Sequence, residues 1–321
     1  MPHTSPSYKA PFWYFNHHLE TMLPSLTRKV SGVDFTRERI DTPDDDFLDL
    51  DWIESQNDKL VIISHGLEGN STRPYMLGMS RIFSENQFDV IAWNYRGCSG
   101  EVNRQVRAYH SGATDDLQVV IDHAFSKGYK EINLIGFSLG GNITLKYIGE
   151  QGGNIDTRIK KAVAYSVPVH LYGSSIEISK LHNLPYSLRF LRNLKKKVKE
   201  KAKLMPDKFD SNGIDKIKTI MEFDDHFTAP VHGYKDALEY YASCSSIQFL
   251  DKITIPTLLV NAHNDSFLSK ECYPDEIAKN HPYFFLETPL RGGHCGFPGA
   301  DHQDYLWSEN RAVEFILSST V

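Results

Sequence analysis

The hydrophobic and polar positions of the chain follow two different patterns. Over residues 31–40 and 47–54, apolar and polar side chains alternate, with a turn-forming segment between them. Alternation with a period of two is typical of half-exposed strands, so the pair predicts a β-hairpin. Farther along, short runs are apolar at almost every position, as in strands that are buried on both faces of a parallel sheet. These runs cover residues 60–66, 89–95, 132–138, 161–167 and 257–263, and a weaker run covers 283–289.

Helical patterns separate most of these apolar runs. They cover residues 76–86, 114–127, 142–151 and 234–242. Alternation of strands and helices predicts right-handed crossovers with helices on both faces of the sheet. We therefore predict an α/β fold in a single domain spanning residues 1–321, with a mostly parallel sheet of eight strands that begins with the antiparallel hairpin. Residues 168–250 interrupt the alternation and predict an inserted helical lid over one end of the sheet.

Composition and charge narrow the class of protein. The chain is 40% hydrophobic and 24% charged, as is typical of a globular protein with a sizeable core. Its formal net charge of −6 disfavours a nucleic-acid-binding surface. The four cysteines show no CxxC spacing, which favours reduced thiols over disulfides or a zinc site. The N-terminus lacks a signal-peptide pattern and no apolar run reaches the about 20 residues of a spanning helix, so we expect a cytoplasmic protein.

Ser138 is the candidate nucleophile. It occupies the centre of the sequence GFSLG, between an apolar strand and a predicted helix. A serine on such a sharp strand-to-helix turn projects its hydroxyl from the top of the sheet. The turn leaves no room for side chains two positions before and two after the serine, and Gly136 and Gly140 meet that demand. A glycine-rich structural turn with an exposed serine is the alternative, and the strand–turn–helix context favours the nucleophile.

A serine hydroxyl needs a base, and the base needs an orienting carboxylate. Asp265 follows the predicted strand 257–263, and His294 lies in a glycine-flanked loop after the last strand. Both therefore lie at the carboxyl ends of strands, where open α/β sheets bind their ligands. The order serine, acid, histidine agrees with one of the known arrangements of this triad. Asp265 as a turn residue and His294 as a loop histidine are the alternatives.

The negative oxygen of a tetrahedral intermediate requires two backbone amides. Leu139, directly after the serine, is predicted to supply one of them. Leu67, in the loop after the strand 60–66, is predicted to supply the other. His65 precedes the serine in the sequence, so we assign it a structural role in this loop rather than that of the base.

Several motifs in the same order carry a resemblance to a known family. They are HGLEGNSTRPY, NYRGCSG, GFSLGGN, the pair Asn264–Asp265 and GGHCGF, preceded by His17–Thr21 near the N-terminus. Together they resemble the YheT-like branch of the α/β-hydrolases, which includes esterases and relatives of membrane-associated lipases. The resemblance implies the α/β-hydrolase fold, the triad Ser138, Asp265 and His294, and hydrolysis of carboxylic esters without a metal or other cofactor. Glu20 departs from the glutamine that the branch leads us to expect.

Two other functions remain open from the sequence. His110 and Asp115 have the HxxxxD spacing of glycerolipid acyltransferases, in which such a pair deprotonates an acceptor hydroxyl. An acyltransferase acting on an alcohol or lysolipid is therefore one alternative. Thr114, Asp115 and Asp116 also resemble a helix cap, which we favour for this segment. The other alternative is a non-catalytic lipid-binding protein that retains the fold, although no member of the triad is missing.

Residues 188–204 predict an amphipathic lid helix. Its apolar positions at helical spacing are Leu188, Leu191, Leu194 and Val198. Six lysines accompany them: Lys195, Lys196, Lys197, Lys199, Lys201 and Lys203. Such a helix packs by its leucines with its lysines in solvent, which we favour, or contacts an anionic membrane surface. Residues 221–227 contain acids beside a histidine and are assigned to support of the lid or pocket. His17 and His18 lack the partners of a metal site.

Overall fold

The computed structural model describes residues 8–299 and 304–319. Within this part of the chain, eight strands form one sheet in the order β1-β2-β4-β3-β5-β6-β7-β8. The strands are β1 (Thr36–Asp41), β2 (Phe47–Ile53), β3 (Lys59–Ser64), β4 (Asp89–Asn94), β5 (Glu131–Phe137), β6 (Ile159–Tyr165), β7 (Thr257–Val260) and β8 (Phe284–Glu287). The α/β fold with an eight-stranded sheet is therefore confirmed.

The hairpin lies at one edge of the sheet. β1 pairs antiparallel with β2, and β2 pairs antiparallel with β4. Asp45 in the connecting turn adopts a φ of 59°, and the Thr42 amide donates to the Asp46 carbonyl at 3.0 Å. All remaining neighbouring strands, from β4 across to β8, run parallel. Their carboxyl ends consequently share one edge of the sheet.

Helices connect the strands. The α-helices are α1 (His17–Thr27), α2 (Pro74–Glu85), α3 (Thr114–Ser126), α4 (Leu139–Gln151), α5 (Leu171–Ile178), α6 (Leu184–Leu204), α7 (Ile220–Phe223), α8 (Ala229–Val231), α9 (Ala237–Cys244), α10 (Asp275–Asn280) and α11 (Trp307–Leu317). A π-helical turn, Asp224–Thr228, joins α7 to α8. Short 3₁₀ segments lie at Gly152–Asn154, Leu181–Asn183, Ile214–Lys216, Ser246–Lys252 and Lys270–Cys272. None of the described helices is both long and apolar enough to cross a bilayer.

The core has two layers, one on each face of the sheet. In β3, Leu60 and Ile62 belong to one apolar cluster, while Val61 and Ile63 belong to the other. Alternation along a strand sends successive side chains to opposite faces, so runs that are apolar throughout can fill both layers. Residues of α3, α4 and α10 cover the first face. Residues of α2 and α11 cover the second.

The segment between β6 and β7 folds into helices α5 to α9. Its own apolar cluster includes Leu191 and Val198 of α6 and Phe223 of α7. Tyr186 and Phe190, also on α6, pack against Phe267, a residue that follows β7. The helices therefore lie over the carboxyl edge of the sheet. The division of the chain into a lid of residues 168–250 and a surrounding domain stays a prediction.

The predicted cap of α3 is wrong in its chemistry. The helix begins at Thr114, but no side chain caps its N-terminus. Thr114 donates to Glu150, Asp115 pairs with Arg107, and Asp116 pairs with Arg96. The acidic side chains form ion pairs with neighbouring arginines in place of hydrogen bonds to the free amides of the first turn.

Candidate active site

Ser138 occupies the turn between β5 and α4. Its φ is 53°, in the left-handed region that side chains rarely adopt. A Cβ atom on Gly136 would lie 2.6 Å from the Gly140 carbonyl oxygen, and one on Gly140 would lie 2.5 Å from the His65 carbonyl oxygen. Because both neighbouring atoms belong to the backbone, only glycine fits at the two positions. The strained serine is thus fixed by main-chain packing alone.

Three predicted site residues come together at the carboxyl ends of β5, β7 and β8. His294 Nε2 lies 3.0 Å from Ser138 Oγ, and His294 Nδ1 lies 2.8 Å from Asp265 Oδ2. Since the buried carboxylate can only accept, Nδ1–H donates to Asp265 and leaves Nε2 to accept from the serine hydroxyl. Phe267 packs on the histidine, with 4.3 Å between the ring centroids.

The pKa of His294 reflects two opposing influences. Burial of the ring lowers it, but the charge of Asp265 and its hydrogen bond, together with Cys295, outweigh burial and raise the pKa above its ordinary value of 6.5. A raised pKa makes the imidazole a stronger base toward the serine proton. Asp265 therefore both anchors the ring and contributes to its raised pKa.

Helix α1 organises the loops that carry the acid and the histidine. Glu20 is fully buried. Its carboxylate accepts hydrogen bonds from Asn264 Nδ2 at 2.6 Å, Arg291 Nε at 2.8 Å and the Gly292 amide at 2.9 Å. The Asn264 side chain in turn accepts from the Gly293 amide at 3.1 Å. Glu20 thereby ties the residue before Asp265 to the residues before His294.

Thr21 extends this arrangement to the histidine itself. The His294 amide donates to Thr21 Oγ1 at 2.9 Å, and the Thr21 hydroxyl donates to the His17 carbonyl at 2.8 Å. On the other side, the Cys295 amide donates to Ser166 Oγ at 2.8 Å. Sequence reasoning missed these positioning residues. Glu20 and Thr21 belong to the motif His17–Thr21 of the family resemblance, but that motif does not indicate which residues they contact.

The loop that carries Leu67 lies beside the nucleophile. The Gly69 amide donates to the Gly66 carbonyl at 3.0 Å, which closes a turn over residues 66–69. A Cβ atom on Gly66 would lie 3.2 Å from Ser138 Cβ. Leu139 is the first residue of α4, so its amide has no partner within the helix. Both predicted oxyanion residues therefore border Ser138, with the Leu67 amide at a turn position and the Leu139 amide at a helix N-terminus.

His65 has no contact with the triad. Its Nδ1 bonds with the Gly66 carbonyl at 2.8 Å, and its ring lies 3.8 Å from that of Tyr95. Burial lowers the pKa of His65 to about 3, so the ring is neutral at physiological pH. Its place in the core of the loop agrees with a structural role.

His110 and Asp115 do not form a catalytic pair. His110 is buried, and its Nδ1 accepts from the Gly112 amide at 3.2 Å. Asp115 instead pairs with Arg107. Burial lowers the pKa of His110, whose ring packs against that of His232 with 4.2 Å between the centroids. The HxxxxD spacing is therefore a coincidence of sequence in this chain.

The acids and histidine of residues 221–227 also lie apart from the triad. Asp224 accepts from the Tyr241 hydroxyl at 2.7 Å and from the Thr228 hydroxyl at 2.6 Å. Burial raises the pKa of Asp224 to about 6. His226 is exposed and bonds to the Glu222 carbonyl. Across the described part of the chain, no group of three or more acidic, histidine or cysteine side chains could hold a metal ion.

Two cavities reach the triad. The larger has a volume of about 480 Å³ and extends from Ser138 and His294 under the helices between β6 and β7. Its apolar lining includes Ile178, Phe190, Leu194, Val198, Phe223 and Phe227. The smaller has a volume of about 230 Å³ and borders the same serine and histidine from the side of α1. A substrate with a long apolar group can therefore be accommodated beside the nucleophile.

An open sheet with its nucleophile turn after the fifth strand defines the class of α/β-hydrolases. Residues 59–299 match a protein family that is described as having the alpha/beta hydrolase fold. A solved esterase from Pyrococcus furiosus superposes with a TM-score of 0.61 over 90% of this chain and 94% of its own, at 17% sequence identity. The likeness to that structure shows the fold.

The chain belongs to the YheT-like family of α/β-hydrolases, as its motifs predict. The Escherichia coli protein YheT, named as an esterase, is 33% identical over 313 residues, which cover 94% of this chain and 91% of YheT. Mouse phospholipase ABHD3 is 29% identical over 308 residues, covering 92% of this chain and 74% of its own. The protein is accordingly a carboxylic ester hydrolase, which confirms the predicted class of enzyme.

Proposed function

We propose that the protein cleaves its ester through an acyl-enzyme on Ser138. His294 takes the serine proton as Ser138 Oγ attacks the acyl carbonyl, and then passes that proton to the oxygen of the departing alcohol. Water, deprotonated by His294, then attacks the acyl carbonyl; the acyl–serine bond breaks, His294 returns the proton to Ser138 Oγ, and the acid is released. Asp265 holds the ring tautomer and stabilises the imidazolium. The observation that carries this proposal is the chain of hydrogen bonds from Ser138 through His294 to Asp265.

The amides of Leu67 and Leu139 bind the negative oxygen of both tetrahedral intermediates in this scheme. Their position beside Ser138 supports the assignment, as does the first turn of α4, which brings the positive end of a helix dipole to the site. Preorganised donors of this kind stabilise the transition state more than the bound ester.

We propose a lipid ester with one medium-length acyl chain in the larger cavity. The apolar lining of that cavity suits a hydrocarbon chain, and a volume of about 480 Å³ limits its length. The mouse relative is named a phospholipase, which agrees with a lipid as the source of the acyl group.

The test is a series of p-nitrophenyl esters of increasing chain length, assayed on the wild type and on Ser138→Ala. We expect an optimum at intermediate length and a loss of about 10⁴-fold or more in kcat for the variant, with an unchanged melting temperature. A fluorophosphonate probe should label the wild type at Ser138. Full turnover by the variant would contradict the mechanism, and a folded wild type that neither reacts with the probe nor hydrolyses esters would favour a lipid-binding protein.

A further inference from the structure

Large apolar side chains are exposed mainly in two segments of the described chain. One includes Phe12 and Phe15, just before α1, and Met22 and Leu26 on α1 itself. The other is the start of the region between β6 and β7, with Leu181, Leu184 and Leu188 exposed by 84%, 40% and 54%. Single exposed leucines are ordinary, but a contiguous group marks an interaction surface.

These two segments meet in the folded chain. His18 of α1 contacts Tyr186 of α6, with 3.0 Å between Nδ1 and the phenolic oxygen. The rings of His17 and His182 also lie edge to face, with 6.4 Å between centroids. We call the exposed side chains on the two sides of this junction the apolar rim; it consists of Met22, Leu26, Leu181, Leu184 and Leu188.

The smaller cavity lies between the same two helices. Met22 and Leu26 line it from α1, while Pro185 and Arg189 line it from α6. Ser138 and His294 also border it. An apolar molecule at the rim is therefore connected through this cavity to the nucleophile.

Cations continue the exposed face of α6 beyond the rim. Arg189, Arg192, Lys196, Lys199 and Lys203 are all exposed. Lys196 pairs with Glu200 and Lys199 with Asp215. Within residues 8–299 and 304–319, no carboxylate pairs with Arg189, Arg192 or Lys203. In a chain whose net charge is −6, this concentration of positive charge beside apolar groups is complementary to anionic lipid headgroups.

The remaining lysines of α6 are Lys195, Lys197 and Lys201, and each bonds to a partner within the protein. Lys201 is buried, and its ammonium donates to Asn103 and to the carbonyls of residues 105–107. Lys197 pairs with Glu68 at 2.9 Å. Leu191 and Val198 are buried as well. The helix therefore packs against the protein by one face. Its other face, which carries Leu184, Leu188 and the unpaired cations, is exposed.

We propose that the apolar rim and the cations of α6 dock the enzyme on an anionic lipid bilayer, and that the smaller cavity admits the substrate from it. Met22, Leu26 and the three leucines enter the acyl boundary, while Arg189, Arg192 and Lys203 contact headgroup phosphates. The lipid ester moves from the bilayer through the cavity to Ser138. The route of the substrate rests on the proposed function, whereas the docking surface stands on its own observations.

The test measures binding of the purified enzyme to sucrose-loaded vesicles of ether-linked lipids, which esterases do not cleave. We expect sedimentation with vesicles of three parts phosphatidylcholine to one part phosphatidylglycerol, weaker binding to pure phosphatidylcholine, and a decrease with salt. Leu181→Ser combined with Leu188→Ser, and Arg192→Glu combined with Lys203→Glu, should each weaken binding by about tenfold or more.

Matched controls alter the same residue types elsewhere. Leu238→Ser with Leu317→Ser changes two other exposed leucines, and Lys130→Glu with Lys160→Glu changes two lysines near the opposite edge of the sheet. Both should bind as the wild type does. All variants should cleave soluble p-nitrophenyl butyrate at the wild-type rate, and only the rim and α6-cation variants should lose activity on an ester embedded in vesicles.

The outcomes separate the two proposals. Wild-type enzyme that does not bind anionic vesicles, or rim variants that bind as well as the controls, would overturn the docking surface. Vesicle binding by an enzyme that cleaves neither soluble nor embedded esters would uphold the surface and overturn the proposed mechanism. Binding that is lost without any change in hydrolysis of the embedded ester would overturn the route of the substrate through the smaller cavity.

Discussion

The two halves of the catalytic arrangement are built in different ways. Ser138 is fixed by its own neighbours in the sequence, since Gly136 and Gly140 let the turn pack main chain against main chain. Asp265 and His294 lie on separate loops, and a side chain from α1 joins those loops: Glu20 bonds to Asn264 and to Gly292. The position of Ser138 thus depends on backbone geometry, whereas the positions of His294 and Asp265 depend on buried hydrogen bonds between residues far apart in the sequence.

This difference predicts different failures. A substitution at Gly136 or Gly140 should lower the stability of the fold, because the atoms that it would meet belong to the backbone and cannot move aside as a side chain could. A substitution in α1 should lower the reaction rate more than the stability of the fold. The loops that carry Asp265 and His294 can form even when Glu20 does not hold them in position relative to each other.

The largest effect is expected for Gly140→Ala. The new methyl group would lie 2.5 Å from the His65 carbonyl oxygen, and α4 would have to move away from the end of β3 to admit it. We expect a loss of about 3 kcal/mol or more in the free energy of unfolding, measured by urea denaturation. Gly153→Ala is the control, because its Cβ would have no neighbour within 4 Å. Equal stability of the two variants would refute main-chain packing as the constraint.

Glu20→Ala should lower kcat by about 100-fold while KM changes little. The variant leaves the Asn264 amide, the Arg291 guanidinium and the Gly292 amide without their acceptor, so the histidine loop loses its position relative to Ser138. The control is Glu276→Ala, at an exposed residue of α10, which should leave kcat and KM unchanged. A kcat within twofold of the wild type would show that the loops do not need α1.

The pH profile distinguishes the contribution of Asp265. His294 accepts the serine proton only when its ring is neutral, so kcat/KM should fall tenfold per pH unit below the pKa of His294. Because Asp265 raises that pKa, the acidic limb of the wild type should lie above pH 6.5. In Asp265→Asn the charge of Asp265 is lost and only Cys295 still opposes burial, so the limb of the residual activity should move to lower pH. If the acidic limb of Asp265→Asn lies at the same pH as that of the wild type, a group other than His294 is responsible for it.

The smallest effect is expected for Glu20→Gln. One amide oxygen can still accept from Asn264 and Gly292, while the partly exposed Arg291 turns toward solvent. We expect kcat within about threefold of the wild type. Glutamine is also the residue that the family resemblance leads us to expect here. A loss as large as that of Glu20→Ala would mean that the charge, and not the acceptor geometry, positions the loops.

The sequence was sufficient where the determinants are local. Period-two alternation located the hairpin, and apolar runs located the parallel strands because burial on both faces leaves no polar position. The turn at Ser138 was predictable for the same reason, since its glycines are neighbours of the serine. Triad order then indicated Asp265 and His294, and the structure places all three within hydrogen-bonding distance.

Long-range partners were out of reach. Nothing near Glu20 in the sequence indicates that residues 264 and 291–292 will surround it, because that contact exists only after the sheet has formed. The lysines of α6 show the same limit: Lys201 was expected in solvent, but carbonyls of residues 105–107 draw its ammonium inside. The same holds for Asp115 and Asp116 of α3, which local sequence predicted to cap the helix. In the structure they form ion pairs with Arg107 and Arg96 instead.

The bonds from Glu20 and Thr21 to the histidine loop also set an order of assembly during synthesis. Helix α1 is synthesised before its partners at residues 264 and 291–294. Until then the serine turn can form without a positioned base. In a nascent chain that still lacks residues 291–294, Ser138 Oγ therefore has no histidine beside it, and the hydrogen bonds of the site form only after α1 has met the histidine loop.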